Sequence, residues 1–453
     1  MQNSCVLGIN VGESFAEYSL LTGANPLAQK RVYLARESIK QTLLSFLSEN
    51  AASKPEKAFV SLKIPKKLLD HNLSGAVAHI TTEGFEHWLE LTGSHRELTQ
   101  KDLIFSVRER VLANGTLEIP LTPADVEAIA AKILLMDCKR VCLHFLHAQA
   151  NPTNLNAAVE ILSSQGLEVF LPKADAANTE VERWNKNALN ATISSVFADR
   201  KNEILGALSE TLTEENVYFL NSQGHAGAAK EAQALDGYFS SLTALGKVYG
   251  EPHKADVLHL GFEAFTLISP DGESTRWDSD WGPVAMSHLR THTLGIQPTL
   301  GLSLNIFGHF DFATSQDGWE PGPMFLGRGQ KLGLLDMWAE NAKLTALPGL
   351  SDRFSAQGIQ RAKNSLFALA KNSRVRNTDL GQLTKELQSL TLQRLALESI
   401  LHRRSKKMRV TGPLASVFAN AFKKDAATTI EPLDFTESTA TALCGVRSLQ
   451  GQL

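Results

Sequence analysis

Cysteine is scarce in this sequence: four residues in 453, namely Cys5, Cys138, Cys142 and Cys444. Only Cys138 and Cys142 lie close together, and no second Cys or His pair completes a zinc-binding set around them. Four reduced, buried thiols in a cytoplasmic protein are therefore expected, with no metal site. An excess of charge of one sign is also missing. Lys plus Arg number 45 against 48 Asp plus Glu, a net charge of −3, and the isoelectric point is near 6.5. A nucleic-acid-binding domain is usually strongly basic, so that class is disfavoured. No apolar run approaches the ~20 residues of a membrane-spanning helix. The opening MQNSCVLGIN has neither a basic stretch nor a long apolar core, so no secretory leader is expected.

What is present is ordinary globular composition, 43% hydrophobic and 21% charged, on a length that suits two or three domains. Cys5 to Asn10 reads as an apolar strand, residues 11–14 as a turn, and Phe15 to Leu21 as a returning strand. A helix is expected over 38–47, a strand over 58–62 and a short helix near 66–69. Strands at 76–80, 140–146 and 167–171 alternate with helices at 85–91, 126–135 and 154–164, the pattern of an α/β fold. A long helix is expected over 180–208, then a strand at 217–221 and a helical stretch at 226–245. Residues 255–269 repeat the opening strand–turn–strand, which suggests two related halves. Residues 279–335, rich in Gly, Pro and His, read as loops. Helices at 365–371, 380–401, 414–422 and 436–449 and a strand at 408–411 complete the chain.

Several stretches resemble the hydantoinase A/oxoprolinase family. They are Ile80-Thr81-Thr82-Glu83-Gly84-Phe85, Arg108-Glu109-Arg110-Val111 with Asn114-Gly115 and Pro120-Leu121, and Leu146-His147 with Asn151-Pro152. Further on come Glu182-Arg183 with Asn190-Ala191, Thr291-His292-Thr293-Leu294-Gly295, and Pro321-Gly322-Pro323 with Gly327-Arg328-Gly329 and Asp336. The resemblance implies a two-lobed α/β fold of the actin-like (ribonuclease H-like) ATPase type, with mixed sheets flanked by helices. The expected division is an N-terminal lobe over 1–180 and a second lobe over 181–453, the latter with a loop-rich insert at 279–335 and a C-terminal helical, adenosine-side segment. It also implies ATP and Mg as cofactors, a small-molecule ligand between the lobes, and either a hydantoinase-type partner subunit or a homodimer. Intact relatives use ATP to open cyclic amides such as hydantoin or 5-oxoproline. At 453 residues the chain is expected to lack the C-terminal extension of full-length members.

The same comparison exposes departures where the chemistry lies. The first phosphate hairpin, "DVGGTFTD" in the family, reads Asn10-Val11-Gly12-Glu13-Ser14-Phe15-Ala16-Glu17 here. The second, "DMGGTSTD", reads His259-Leu260-Gly261-Phe262-Glu263-Ala264-Phe265-Thr266. A phosphate cradle needs small residues and uncluttered amides, whereas these positions carry bulky or acidic ones. "HGTT" becomes Leu62-Lys63-Ile64-Pro65, "GAGGGS" becomes Gly295 through Leu300 with Pro298, and the adenosine-side "GGAGP" is only partly kept, as Thr411-Gly412-Pro413-Leu414-Ala415. The nucleotide-side positions are thus Asn10, Gly12, Glu13, Ser14, His259, Gly261, Glu263, Gly295, Gly412 and Pro413, and substrate is expected near Arg183 and Arg328. No catalytic residue is assigned. Two functions follow: ATP-dependent cyclic-amide hydrolysis, weakened or lost, or a catalytically degenerate binding or regulatory subunit.

Other constellations are weaker. His288, His292, His309, Asp311 and Asp317 match no compact metal spacing. Asp278 and Asp280 would share a face only in a strand, and their surroundings read as loop. His144 and His147 are expected to be structural, and no GxSxG elbow supports a serine nucleophile.

Overall fold

The computed structural model describes residues 4–34, 38–64, 76–89, 99–173, 179–279, 282–298, 300–313, 323–326, 332–347, 349–350, 354–374, 379–423, 425–430 and 436–453. Alternating apolar residues in the opening segment form an antiparallel meander of β1 (Cys5–Val11), β2 (Phe15–Thr22) and β3 (Asn25–Tyr33). After helix α1 (Ile39–Glu49), β4 (Lys57–Leu62) pairs parallel to β1. Strands β5 (Val77–Thr82), β6 (Ile104–Val107), β9 (Arg140–His144) and β10 (Glu168–Phe170) make a separate parallel sheet in the order β10-β9-β5-β6. The small hairpin β7 (Arg110–Val111) and β8 (Leu117–Ile119) stands beside it. Helices α2 (Pro123–Leu135), opened by its proline, and α3 (Thr153–Ser164) belong to this region.

Helix α4 (Glu180–Leu208) starts at a capping box, in which Thr179 and Glu182 satisfy each other's backbone donors. The chain then returns to the first sheet with β11 (Val217–Leu220) and β12 (Ala226–Ala228), giving the order β12-β11-β4-β1-β2-β3. The first sheet therefore takes strands from beyond residue 181. The helical stretch expected over 226–245 is corrected: β12 and short turns of 3₁₀ helix precede α5 (Gly237–Leu245).

The second lobe repeats the first. Strands β13 (Ala255–Leu260), β14 (Phe265–Ser279) and β15 (Gly282–Thr293) form an antiparallel meander. After β16 (Gly301–Leu304) and β17 (Phe310–Ala313), β18 (Lys407–Thr411) pairs parallel to β13 and β19 (Thr428–Ile430) to β18. The order β15-β14-β13-β18-β19 reproduces β3-β2-β1-β4-β11, which accounts for the weak sequence repeat. Loop was expected over 279–335, and the correction is a physical one. Residues 282–293 form a strand held by pairing with β14, and Asp278 lies in β14, paired with Arg276 at 2.8 Å. The expected helix near 66–69 and Asp280 lie outside the described residues.

Helices α6 (Ala342–Thr345), α7 (Ala356–Asn372), α8 (Leu380–His402) and α9 (Ala415–Phe418) pack on the second sheet. The final helix α10 (Thr436–Leu449) lies back on the first sheet. Gly8 makes that approach possible, since a Cβ there would lie 2.1 Å from the carbonyl oxygen of Ser438. Among the described residues no helix is long and apolar enough to cross a membrane.

Candidate functional site: the cleft between the hairpins

The loops that follow the parallel strands β1, β4, β11, β13 and β18 all leave the carboxyl ends of their sheets, where α/β folds place ligands. Two of these loops are the tight hairpin tips, closed by Gly12 N–H to Phe15 C=O at 2.8 Å and Gly261 N–H to Ala264 C=O at 3.1 Å. The tips meet across the cleft. Phe15 packs on Phe262 with ring centroids 4.7 Å apart and on Tyr33 at 5.2 Å, and both Phe15 and Tyr33 join the hydrophobic core of the second lobe.

Beside this aromatic contact the backbone N–H of Ser14 donates to the Glu263 carboxylate at 2.9 Å. An amide at such a tip is the donor a phosphate would use, and here an internal anion takes it. Lys63 Nζ lies 2.8 Å from Glu13 Oε1 and over the Tyr238 ring. Burial pushes the Glu263 carboxyl up, and the neighbouring Glu13 charge adds to this. Burial would pull the Lys63 ammonium down, but Glu13 and Glu263 outweigh it and hold it charged. The acidic residues that replace small ones at the two tips thus share a counter-ion, and that counter-ion is an ammonium of the chain itself.

A second network runs behind the tips. His259 Nε2 stands 3.1 Å from Glu437 Oε1 in the first turn of α10. Glu17, paired across β1–β2 with Asn10, is bound by Arg31 through Nε at 2.7 Å and Nη2 at 2.6 Å. Burial and the Glu437 charge push Glu17 up to about 8, against Arg31. Glu437 is held at about 2 despite its burial, by His259 first and by Arg31. The short Arg31–Glu17 contact taken alone would suggest an ionised Glu17. With two carboxyls hydrogen-bonded to each other, one shared proton is the arrangement that burial favours, and Glu17 carries it.

His259 also fills space. A Cβ on Gly412, whose φ is +97°, would lie 2.8 Å from His259 Nδ1, and one on Gly261 would lie 3.0 Å from Nε2. The imidazole therefore sits between the Gly261 turn and the Gly412 turn, both expected on the nucleotide side. The third loop repeats the theme, because Ile296 N–H donates to Glu398 at 3.0 Å beside Gly295, and Arg394 pairs with the same carboxylate at 2.9 Å. Ten nucleotide-side positions were expected from the sequence. The structure brings Gly12, Glu13, Ser14, Gly261 and Glu263 together at the tips and Asn10, His259 and Gly412 behind them; Pro413 follows Gly412 in its turn, and Gly295 lies apart under Glu398. In this arrangement side chains of the chain itself take the Ser14 amide and the space between Gly261 and Gly412, positions expected from the sequence on the nucleotide side.

Arg183 lies elsewhere, in the wall of a polar cavity of about 210 Å³ between the start of α4, the 221–223 turn, the 233–236 turn and β15. Its guanidinium pairs with Glu180 at 2.9 Å and donates to Gln149 at 3.2 Å. Asp236 lines the same cavity, its carboxyl pushed up by burial against the pull of Lys186 and Lys173. A smaller cavity of about 160 Å³ continues from it, sharing Lys173, Asn221, Gln233 and Asp236 and reaching Leu62, next to Lys63. Sequence reasoning missed Asp236, Lys173 and Lys186, because single charged residues, two beside turns and one on α4, give no pattern that marks a site. Arg328 lies outside the described residues.

The scattered histidines do not assemble. His288 stacks on Phe239 at 3.7 Å, His292 on His402 at 3.8 Å, and His309 and Asp311 sit on the β16–β17 hairpin. Asp317 is outside the described residues. No disulfide joins the cysteines: all four are free, and Cys5 alone is partly exposed.

No family model matches the sequence. An uncharacterized protein of Methanocaldococcus jannaschii is 27% identical over 172 residues, covering 34% of this chain and 25% of that protein, so the match spans about a quarter of its length. Among solved structures, nucleotide-free acetone carboxylase superposes with a TM-score of 0.76 at 15% identity, covering 98% of this chain and 70% of that one. The ATP-dependent caprolactamase from Pseudomonas jessenii gives 0.72 at 15% identity, covering 97% and 70%. At that identity the likeness carries architecture alone, and this chain has the two-lobed actin-like ATPase fold.

Proposed function

We propose that the chain is a catalytically degenerate binding or regulatory protein of hydantoinase type, in which the interlobe nucleotide cleft is held shut by the chain's own carboxylates. The observation that carries this reading is the Ser14 amide donating to Glu263 across the lobes. Glu13 with Lys63, and His259 between Gly261 and Gly412, support it independently. On this reading the polar cavity at Arg183 and Asp236 takes a small ligand bearing an anionic or amide group, and a hydantoinase-type subunit or a second copy of the chain is the partner.

A second reading keeps ATP-dependent cyclic-amide hydrolysis. In its favour, both structural neighbours named above are described as ATP-dependent, one in acetone carboxylation and one as a caprolactamase. Calorimetric titration of the purified chain with Mg-ATP separates the two. The degenerate reading expects no binding in the wild type and measurable binding once the tips are cleared in the Glu13→Gly, Glu263→Thr double variant. Micromolar binding by the wild type, with hydrolysis stimulated by a cyclic amide, would establish the second reading instead.

A further inference from the structure

Two neighbouring strands of the parallel β10-β9-β5-β6 sheet carry a cluster that the cleft does not use. His79 on β5 and Cys142 on β9 are register partners, and His144 lies two residues beyond Cys142, so all three share one sheet face. Each is at most 1% exposed. One ligand atom from each lies within 4.8 Å of the others, and among the described residues no other group of three His, Cys or carboxylate side chains gathers in this way. Helix α4 covers them: Trp184 packs against His144 at 5.3 Å, and the backbone carbonyl of Asn187 faces the Cys142 thiol.

The protein's own hydrogen bonds do not complete this cluster. His79 Nδ1 and His144 Nε2 are 3.1 Å apart and share one proton, while His144 Nδ1 is buried with no partner. If Nε2 of His144 donates to His79, Nδ1 keeps an unused lone pair; the opposite tautomer leaves an N–H without an acceptor. Burial pushes both imidazoles towards their neutral form, His144 with the neighbouring His79 adding to it. Burial pushes the Cys142 thiol up, and the Arg140 cation pulls it the other way, so the thiolate forms only as a bound cation replaces its proton.

We infer that His79, Cys142 and His144 form a binding site for a monovalent soft cation, Cu(I). Two neutral imidazoles and one thiolate are borderline and soft donors that suit copper. Cu(I) with a single thiolate is neutral overall, which a sealed site already facing Arg140 tolerates. Zinc would leave an uncompensated positive charge there and would need a fourth ligand that the three side chains do not supply. On binding, the Cu–S bond forms as the Cys142 S–H bond breaks; the proton leaves to buffer and no electron is transferred.

The test is an anaerobic titration of the full-length chain with Cu(I) delivered from a chromophoric chelator, the metal alone being the probe. We expect one Cu(I) per chain, with Cys142→Ser and His144→Gln each weakening uptake about 100-fold or more. A Cys5→Ser, Cys138→Ser, Cys444→Ser chain should bind as the wild type does. X-ray absorption of the loaded wild type should show sulfur and nitrogen around copper, a readout that stands even if a variant fails to fold. Absence of uptake, uptake unchanged in folded Cys142→Ser, or preference for Zn(II) in a parallel titration would each overturn the proposal.

Discussion

Lys63 is the residue on which the two hairpin tips depend. It lies beside Glu13, over Tyr238 and within the field of Glu263. Removing the ammonium leaves two partly buried carboxylates facing each other, so Lys63→Met should cost about 1–3 kcal/mol in urea denaturation. Adding Glu263→Gln to that variant should restore part of the loss, a coupling that a double-mutant cycle measures. Glu17 makes a prediction of the opposite kind. Its folded-state carboxyl is raised from 4.5 to about 8, so the folded chain holds a proton the unfolded chain releases. Its contribution to stability is complete below pH 4.5 and declines as pH rises through 8, with a slope of up to about 1.4 kcal/mol per pH unit. Glu437, lowered from 4.5 to about 2, acts on the other limb: its contribution is present above pH 4.5 and is lost as pH falls towards 2. Denaturation midpoints across pH should show both limbs, and Glu17→Gln should flatten the one between 4.5 and 8.

Elements that advertise themselves by period were legible before any coordinates. Helix α4 begins with its capping box and ends where the pattern over 180–208 predicts, and α10 covers the expected 436–449. The strand–turn–strand openings of both lobes were also visible, because apolar residues flank a turn in each. The 282–293 strand was not: its Pro, Ser, His and Thr residues carry no apolar alternation, and pairing with β14 over most of its length decides its conformation. The candidate site was legible as a list of positions, but not as contacts, since Ser14 and Glu263 are 249 residues apart. Likewise Cys142 and His144 read as unremarkable strand residues until β5 set His79 beside them. At this scale Gly8 is the point to probe. With Ser438 already in contact, Gly8→Val forces α10 off β1 and should destabilise the chain by about 1–3 kcal/mol, measured by chemical denaturation.

At its centre the molecule is two copies of one sheet plan, joined at their tips and by a returning helix, with the β10-β9-β5-β6 sheet as a separate layer. Phe15, Tyr33 and Phe262 tie the lobes from one side, and His259 with Glu437 ties them from behind. Phe262→Ala removes the aromatic anchor that the second lobe offers to the first. It should cost about 3 kcal/mol, and hydrogen exchange should rise first at the amides of Gly12, Ser14 and Gly261. A change confined to other regions would show that the tips are not the contact that holds the lobes together. The clasp also has a kinetic meaning. Any ligand bound for the space between the tips must wait for the aromatic pair to part and for Ser14 to lose its acceptor. Its observed binding rate should therefore level off at the opening rate, however much ligand is supplied.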